Sequence, residues 1–131
     1  MTDALRLVLS TDLSPETGQT SGMQRSSAIS GANVGSELLW MGQTRMAPAT
    51  VAGNRHHGDS ETAIYVVSGR PVFVFRDGEV ETRIGAAPGD YVYVPAFTPH
   101  REENPDPDPE AVVVLARSTQ EAIVVNLDSL G

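Results

Sequence analysis

Glycine or proline interrupts nearly every apolar stretch of this chain, and few windows longer than about ten residues keep a helical 3.6 period. What remains is a series of short runs rich in β-branched and aromatic residues. Such runs read as strands at residues 5–10 (LRLVLS), 36–43 (SELLWMGQ), 62–67 (TAIYVV), 71–76 (PVFVFR), 79–84 (EVETRI), 91–94 (YVYV), 111–116 (AVVVLA) and 122–127 (AIVVNL). Asp77-Gly78 between two of these runs predicts a two-residue hairpin. Eight or nine short strands with turn signals between them predict an antiparallel all-β sandwich or barrel.

Residues 11–36 are rich in Ser, Thr, Gly and Gln and read as an ordered arm or long loop, with a flexible tail as the alternative. The Pro-Asp-Pro-Asp-Pro stretch at residues 105–109 cannot form ladder hydrogen bonds and reads as a stiff exposed loop. At 131 residues the chain predicts one domain spanning 1–131, with 1–35 as an N-terminal strand and arm on or across the barrel. The hydrophobic fraction of 40% supplies a core.

Charge and composition narrow the function. Nine Lys and Arg against 17 Asp and Glu give a net charge of −8, which disfavours nucleic acid and anionic lipid as partners. The chain has no Cys, so it offers no disulfide, thiolate metal site or cysteine nucleophile. A metal would rest on His, carboxylate, amide or water, which suits Fe, Mn, Zn or Ni. The sequence carries no membrane-length apolar run and its start is a poor signal peptide, so the expectation is a cytoplasmic protein.

The three histidines occupy only two places, His56-His57 and His100. Residues 89–104 read GDYVYVPAFTPHREEN: a turn, a short strand ended by Pro95, and Pro99 fixing the approach to His100. This stretch resembles the second conserved motif of the cupin superfamily, G-x5-P-x-G-x2-H-x3-N, with Gly89, Pro95, His100 and Asn104 at the motif spacing and Phe97 in place of its glycine. The first cupin motif, G-x5-H-x-H-x3,4-E-x6-G, is matched by His57 and Gly69. Arg55 stands where that motif has its first His, and Thr62 falls at the Glu position, with Glu61 one residue early. More narrowly, residues 17–127 are similar to small single-domain bacterial, RmlC-like cupins. The matching residues include Gln19-Thr20, Gly22-Met23, Arg25, His56 to Asp59, Glu61-Thr62, residues 64–70 and residues 88–95.

The resemblance implies a cupin-type double-stranded β-helix, a jelly-roll barrel, usually a homodimer, with a divalent metal near one mouth. Carried over by position, His57 and His100 are the ligands the motifs support most directly. Glu61 joins them only if a bulge turns it inward, because alternation puts Glu61 and Thr62 on opposite faces. In that bulged geometry His56 replaces the missing ligand. Arg55 is a candidate to hold an anionic group of a substrate. Three readings stand open: a metal-dependent enzyme acting on a small organic metabolite; a metal-free isomerase or epimerase using His57 or His100 as base; and a non-catalytic small-molecule binder with a decayed metal site.

Overall fold

A computed structural model describes residues 4–131. Two antiparallel sheets face each other as a jelly roll. The first has the order β1 (Gln24–Ile29), β2 (Trp40–Met46), β10 (Ala111–Arg117), β5 (Thr62–Ser68), β8 (Tyr91–Val94). The second has the order β11 (Val125–Leu127), β4 (Asn54–His56), β9 (His100–Asn104), β6 (Val72–Asp77), β7 (Val80–Gly85), and β3 (Thr50–Val51) also pairs with β9. A single short helix, α1 (Gly31–Val34), is the helical segment among the described residues.

Period-two alternation decides what enters the barrel. β5 buries Thr62, Ile64 and Val66 and turns Ala63, Tyr65 and Val67 outward. β10 sends Val113, Leu115 and Arg117 in, and β2 sends in Trp40, Gly42, Thr44 and Met46. Trp40, Ile64, Val66, Phe73, Val113 and Leu115 form the main apolar cluster. Each such aliphatic or aromatic side chain contributes roughly 1.5–3 kcal/mol when fully buried. A smaller cluster of Met23, Met46, Ala52 and Ala111 packs separately.

The inward residues of β1, β4 and β9 are polar instead. β1 buries Arg25 and Ser27, β4 buries Arg55, and β9 buries His100, Glu102 and Asn104. The barrel therefore has an apolar part and a charged part. That division explains where the sequence reading departs from the structure. β1 and β9 lie in stretches with no apolar alternation, because their inward faces are polar, and periodicity of hydrophobicity cannot register them. Conversely, residues 5–10 alternate leucines yet form no strand: Leu5, Leu7 and Leu9 are exposed and the segment has no ladder partner. The arm is tied down elsewhere, by the Ser14–Ser27 bridge and by Gln19, whose amide both donates to and accepts from the Arg25 backbone. Residues 36–43 form a strand only from Trp40, and residues 122–127 only from Val125. The hairpin between β6 and β7 pairs Asp77 with Val80, so its turn residues are Gly78 and Glu79, one place later than expected.

Candidate functional site

The site grows from the strand β4 and the turn after it. Alternation sends Arg55 into the barrel and leaves His56 on the rim. His56 accepts a hydrogen bond from the Gly58 amide at its Nδ1 and tilts against Phe97, with ring centroids 6.1 Å apart. His57 turns inward and is buried. Across the interior β9 supplies His100, whose backbone is in register with Arg55. The two buried imidazoles stand with ring centroids 5.1 Å apart.

The first motif's acidic residue does not join them. β5 begins at Thr62, which is buried, while Glu61 faces out and accepts a hydrogen bond from the Tyr93 hydroxyl. No bulge rotates Glu61 inward. Its backbone amide is instead held by the Ser118 hydroxyl at 2.9 Å. The inward place belongs to Thr62, whose hydroxyl accepts from Nε of Arg117 at 3.3 Å.

Arg117 also fixes the chemistry of His57. A guanidinium only donates, so the contact of 3.2 Å between Arg117 Nη2 and His57 Nε2 requires a lone pair on Nε2. The proton then sits on Nδ1 and is donated to the Ile123 carbonyl at 2.8 Å. Burial, then Arg117, and then His100 and Arg55 hold the His57 imidazole far below its ordinary pKa, against the smaller opposing effect of the Ile123 bond. His100 donates through Nδ1 to the Thr98 carbonyl at 2.9 Å. Burial and then Arg55 lower its pKa to about 3. Both rings are neutral at physiological pH. Only His100 keeps an Nε2 lone pair that no protein donor meets among the described residues.

Arg25, Arg55 and Arg117 are all buried, and Glu102 is the one buried carboxylate among the described residues. Arg55 pairs with Glu102 at 2.9 Å. Arg25 donates to the Gly18 carbonyl at 2.6 Å. Arg117 lies over the Trp40 ring, its guanidinium carbon 5.2 Å from the centroid. Burial and then Arg55 bring the Arg25 pKa down to about 10. Burial, then Arg25 and Arg55, bring that of Arg117 to about 9. Both stay charged at neutral pH.

The Asn of the second motif, Asn104, is structural. Its buried amide donates to the carbonyls of Met46, Ala47 and Pro109 and pins the 105–109 loop to β2. Phe97, where the motif has glycine, adopts φ 58, the left-handed region that glycine enters freely.

The family model described as a cupin domain matches residues 42–116, more than half of the chain. The chain belongs to the cupin family. No curated protein shows significant similarity to it. Among solved structures, this cupin resembles oxalate decarboxylase from Bacillus subtilis at 21% identity and TM-score 0.73, over 86% of this chain and 29% of that one. Oxalate oxidase in complex with the substrate analogue glycolate matches at 18% identity and TM-score 0.70, over 84% of this chain and 59% of that one. The polyketide cyclase RemF from Streptomyces resistomycificus matches at 18% identity and TM-score 0.72, over 96% and 87%. This cupin thus spans under a third of the oxalate decarboxylase chain but most of the RemF chain, and at these identities the likeness establishes the fold alone. No helix among the described residues is long and apolar enough to cross a membrane.

The donor set can be tested against the metal expected of such a barrel. Oxalate decarboxylase carries Mn(II) centres. In this cupin no group of three or more His, Cys, Asp or Glu among the described residues is placed to hold a metal ion. Only His57 and His100 come together; His56 and Glu61 do not reach them. The lone pair His57 would offer is engaged by Arg117, and Arg55 and Arg117 put positive charge where a cation would sit. The residues present do not fit a three-ligand metal centre. Sequence reasoning missed Arg117 and Glu102 as interior groups, although period two counted from Leu115 and from His100 points to both.

Proposed function

We propose that this cupin binds a small organic molecule in its barrel without a three-ligand metal centre, and that His100 is the polar contact for that molecule. The observation that carries this reading is a cavity of about 290 Å³ lined by Phe73, Phe75, Ile84, Val92 and Val94, with His100 in its wall. It lies at the small end of ligand pockets and suits a body about the size of one aromatic ring. His57, held by Ile123 and Arg117, stands beside His100.

A second reading has the open Nε2 lone pair of His100 taking a proton from the bound molecule, as in an isomerisation or epimerisation. Retained tight binding with no turnover would leave the binding reading alone. In either case Arg55 is the substrate-binding residue of the charged end. We also propose a homodimer: Tyr65 and Tyr91 meet in a tilted contact, ring centroids 5.0 Å apart, on the exposed outer face of the first sheet, and Met41, Val67 and Tyr93 extend that apolar face. Sedimentation velocity, with Tyr65→Glu as the variant, tests it.

Elemental analysis of the purified protein, followed by NMR titration with benzyl alcohol, tests the main reading. The expected result is metal well below stoichiometry and shifts at His100 that a Val92→Trp change abolishes by filling the cavity. Near-stoichiometric Fe, Mn, Zn or Ni, lost on His57→Ala or His100→Ala, would overturn it in favour of a metal-dependent enzyme.

A further inference from the structure

The barrel interior carries more positive charge than the protein neutralises. Three buried guanidinium groups face a single buried carboxylate, that of Glu102. Each guanidinium also keeps one buried nitrogen without a hydrogen-bond partner: Nε of Arg25, Nε of Arg55 and Nη1 of Arg117. The Ser27 and Thr20 hydroxyls, the Trp40 indole N–H and Oδ1 of Asn104 are likewise buried and unpartnered. The three arginines feel one another electrostatically. Buried polar groups are normally satisfied, and buried charges normally paired, because leaving either bare costs several times what a satisfied contact contributes. Donors are in excess here: four of the seven unpartnered atoms can only donate, and Asn104 Oδ1 is the one that can only accept. A buried oxyanion supplies both the acceptors and the charge.

We propose that Arg25, Arg55 and Arg117 form an oxyanion site at the polar end of the barrel, which takes the carboxylate or phosphate head of a small organic acid. The proposal rests on the ligand-in-barrel reading for the rest of that acid, whose apolar body lies in the cavity that His100 lines. Guanidinium groups suit this head because their planar forks match two oxygens at once. The site has two approaches. His100 lines the apolar cavity, and its backbone is in register with that of Arg55. Arg117 also lines a groove of about 230 Å³ with Leu39, Glu61, Thr62 and Tyr93, where the Glu61 carboxylate disfavours an entering anion. Single-sign charge without a ligand is a strain on the empty protein, so removing Arg25 or Arg117, neither of which is paired with Glu102, weakens anion binding without lowering the stability of the unliganded barrel.

Titration calorimetry at low salt with benzoate, benzyl alcohol, acetate and inorganic phosphate tests the site. Benzoate should bind at least about tenfold more tightly than its neutral analogue benzyl alcohol, the factor expected from one charge-assisted contact. That margin should vanish in Arg117→Met and in Arg25→Met, while the unliganded melting temperature holds or rises. Either variant suffices if the other fails to fold, and the benzoate comparison needs neither. Equal affinity for benzoate and benzyl alcohol overturns the oxyanion site and leaves the apolar-pocket reading standing. Acetate or phosphate binding as tightly as benzoate keeps the oxyanion site and removes the apolar pocket; whichever of the two is tighter identifies the head group. Binding of no anion overturns the proposal.

Discussion

Arg117 places a guanidinium nitrogen 3.2 Å from Nε2 of His57, on the lone pair through which that imidazole would otherwise hold a metal. The same side chain donates to Thr62, which stands where the first cupin motif has its carboxylate. One arginine two residues beyond Leu115 thus engages the remaining histidine of the first motif and the residue at its acidic position together. The double variant Arg55→His, Arg117→Met should gain Zn(II) affinity by at least about tenfold over the parent, since it adds an imidazole and removes two cations from the ion's surroundings. Competition against a colorimetric zinc chelator measures this. Unchanged affinity would mean that position 55 does not present its side chain to His57 and His100.

Acid should destabilise the fold through the two buried imidazoles. Both are depressed in the folded protein, His100 to about 3, against an unfolded value near 6.5. Between those values the unfolded chain binds more protons than the native one, so stability rises with pH across that window. The contribution is fully present above about pH 6.5 and is lost progressively as the pH falls toward 3. Urea midpoints measured from pH 7.5 down to pH 4 should therefore decline, and His100→Gln should flatten the decline. A slope below pH 6 that survives both His57→Gln and His100→Gln would assign it to the carboxylates.

The Arg55–Glu102 pair is buried at both ends, which makes its halves unequal in isolation. Removing one partner strands the other charge, at about 3–5 kcal/mol for a buried pair. Glu102→Gln should be the worse of the two single changes, because it removes the only buried negative charge among the described residues facing three arginines. Arg55→Met with Glu102→Leu should recover most of the loss. A double-mutant cycle read by chemical denaturation gives the coupling, and additive single losses would refute it.

Phe97 occupies a left-handed backbone conformation with its ring largely exposed. A non-glycine residue there costs roughly 1–2 kcal/mol. Phe97→Gly should relieve much of that cost, raise the melting temperature by a few degrees and leave His56 free of its ring contact. A drop in melting temperature would show that the Phe97 ring contributes more by packing than its backbone costs.

Glu61→Gln removes a charge that reaches only the Tyr93 hydroxyl. Stability should change by no more than about 0.5 kcal/mol, as for ordinary surface sites. Metal content should not change at all. Loss of a bound metal in this variant would restore Glu61 to the interior and overturn the outward placement.

Several features were decided by local sequence. The β-branched runs around residues 62–67, 91–94 and 111–116 form strands within one residue of their expected ends, because their inward faces are apolar and alternate. Gly89, Pro95, His100 and Asn104 fix the approach of β8 and β9 by spacing alone, and Phe97 reveals the motif's glycine requirement by adopting a glycine's backbone. Arg55 and His57, two apart, had to share a face. The tertiary structure decided what no single segment contains. β1 and β9 were hidden because their buried residues are Arg, Ser, His, Glu and Asn, whose inward direction has no hydrophobic signature until the opposite sheet arrives. Whether Glu61 or Thr62 entered the barrel depended on where β5 began to pair with β10. The meeting of Arg25, Arg55 and Arg117 depended on three strands from both sheets closing on one another. Alternation along a strand is a local property and can be counted. The partner of a buried charge is set by the packing of distant segments, and only the folded barrel supplies it.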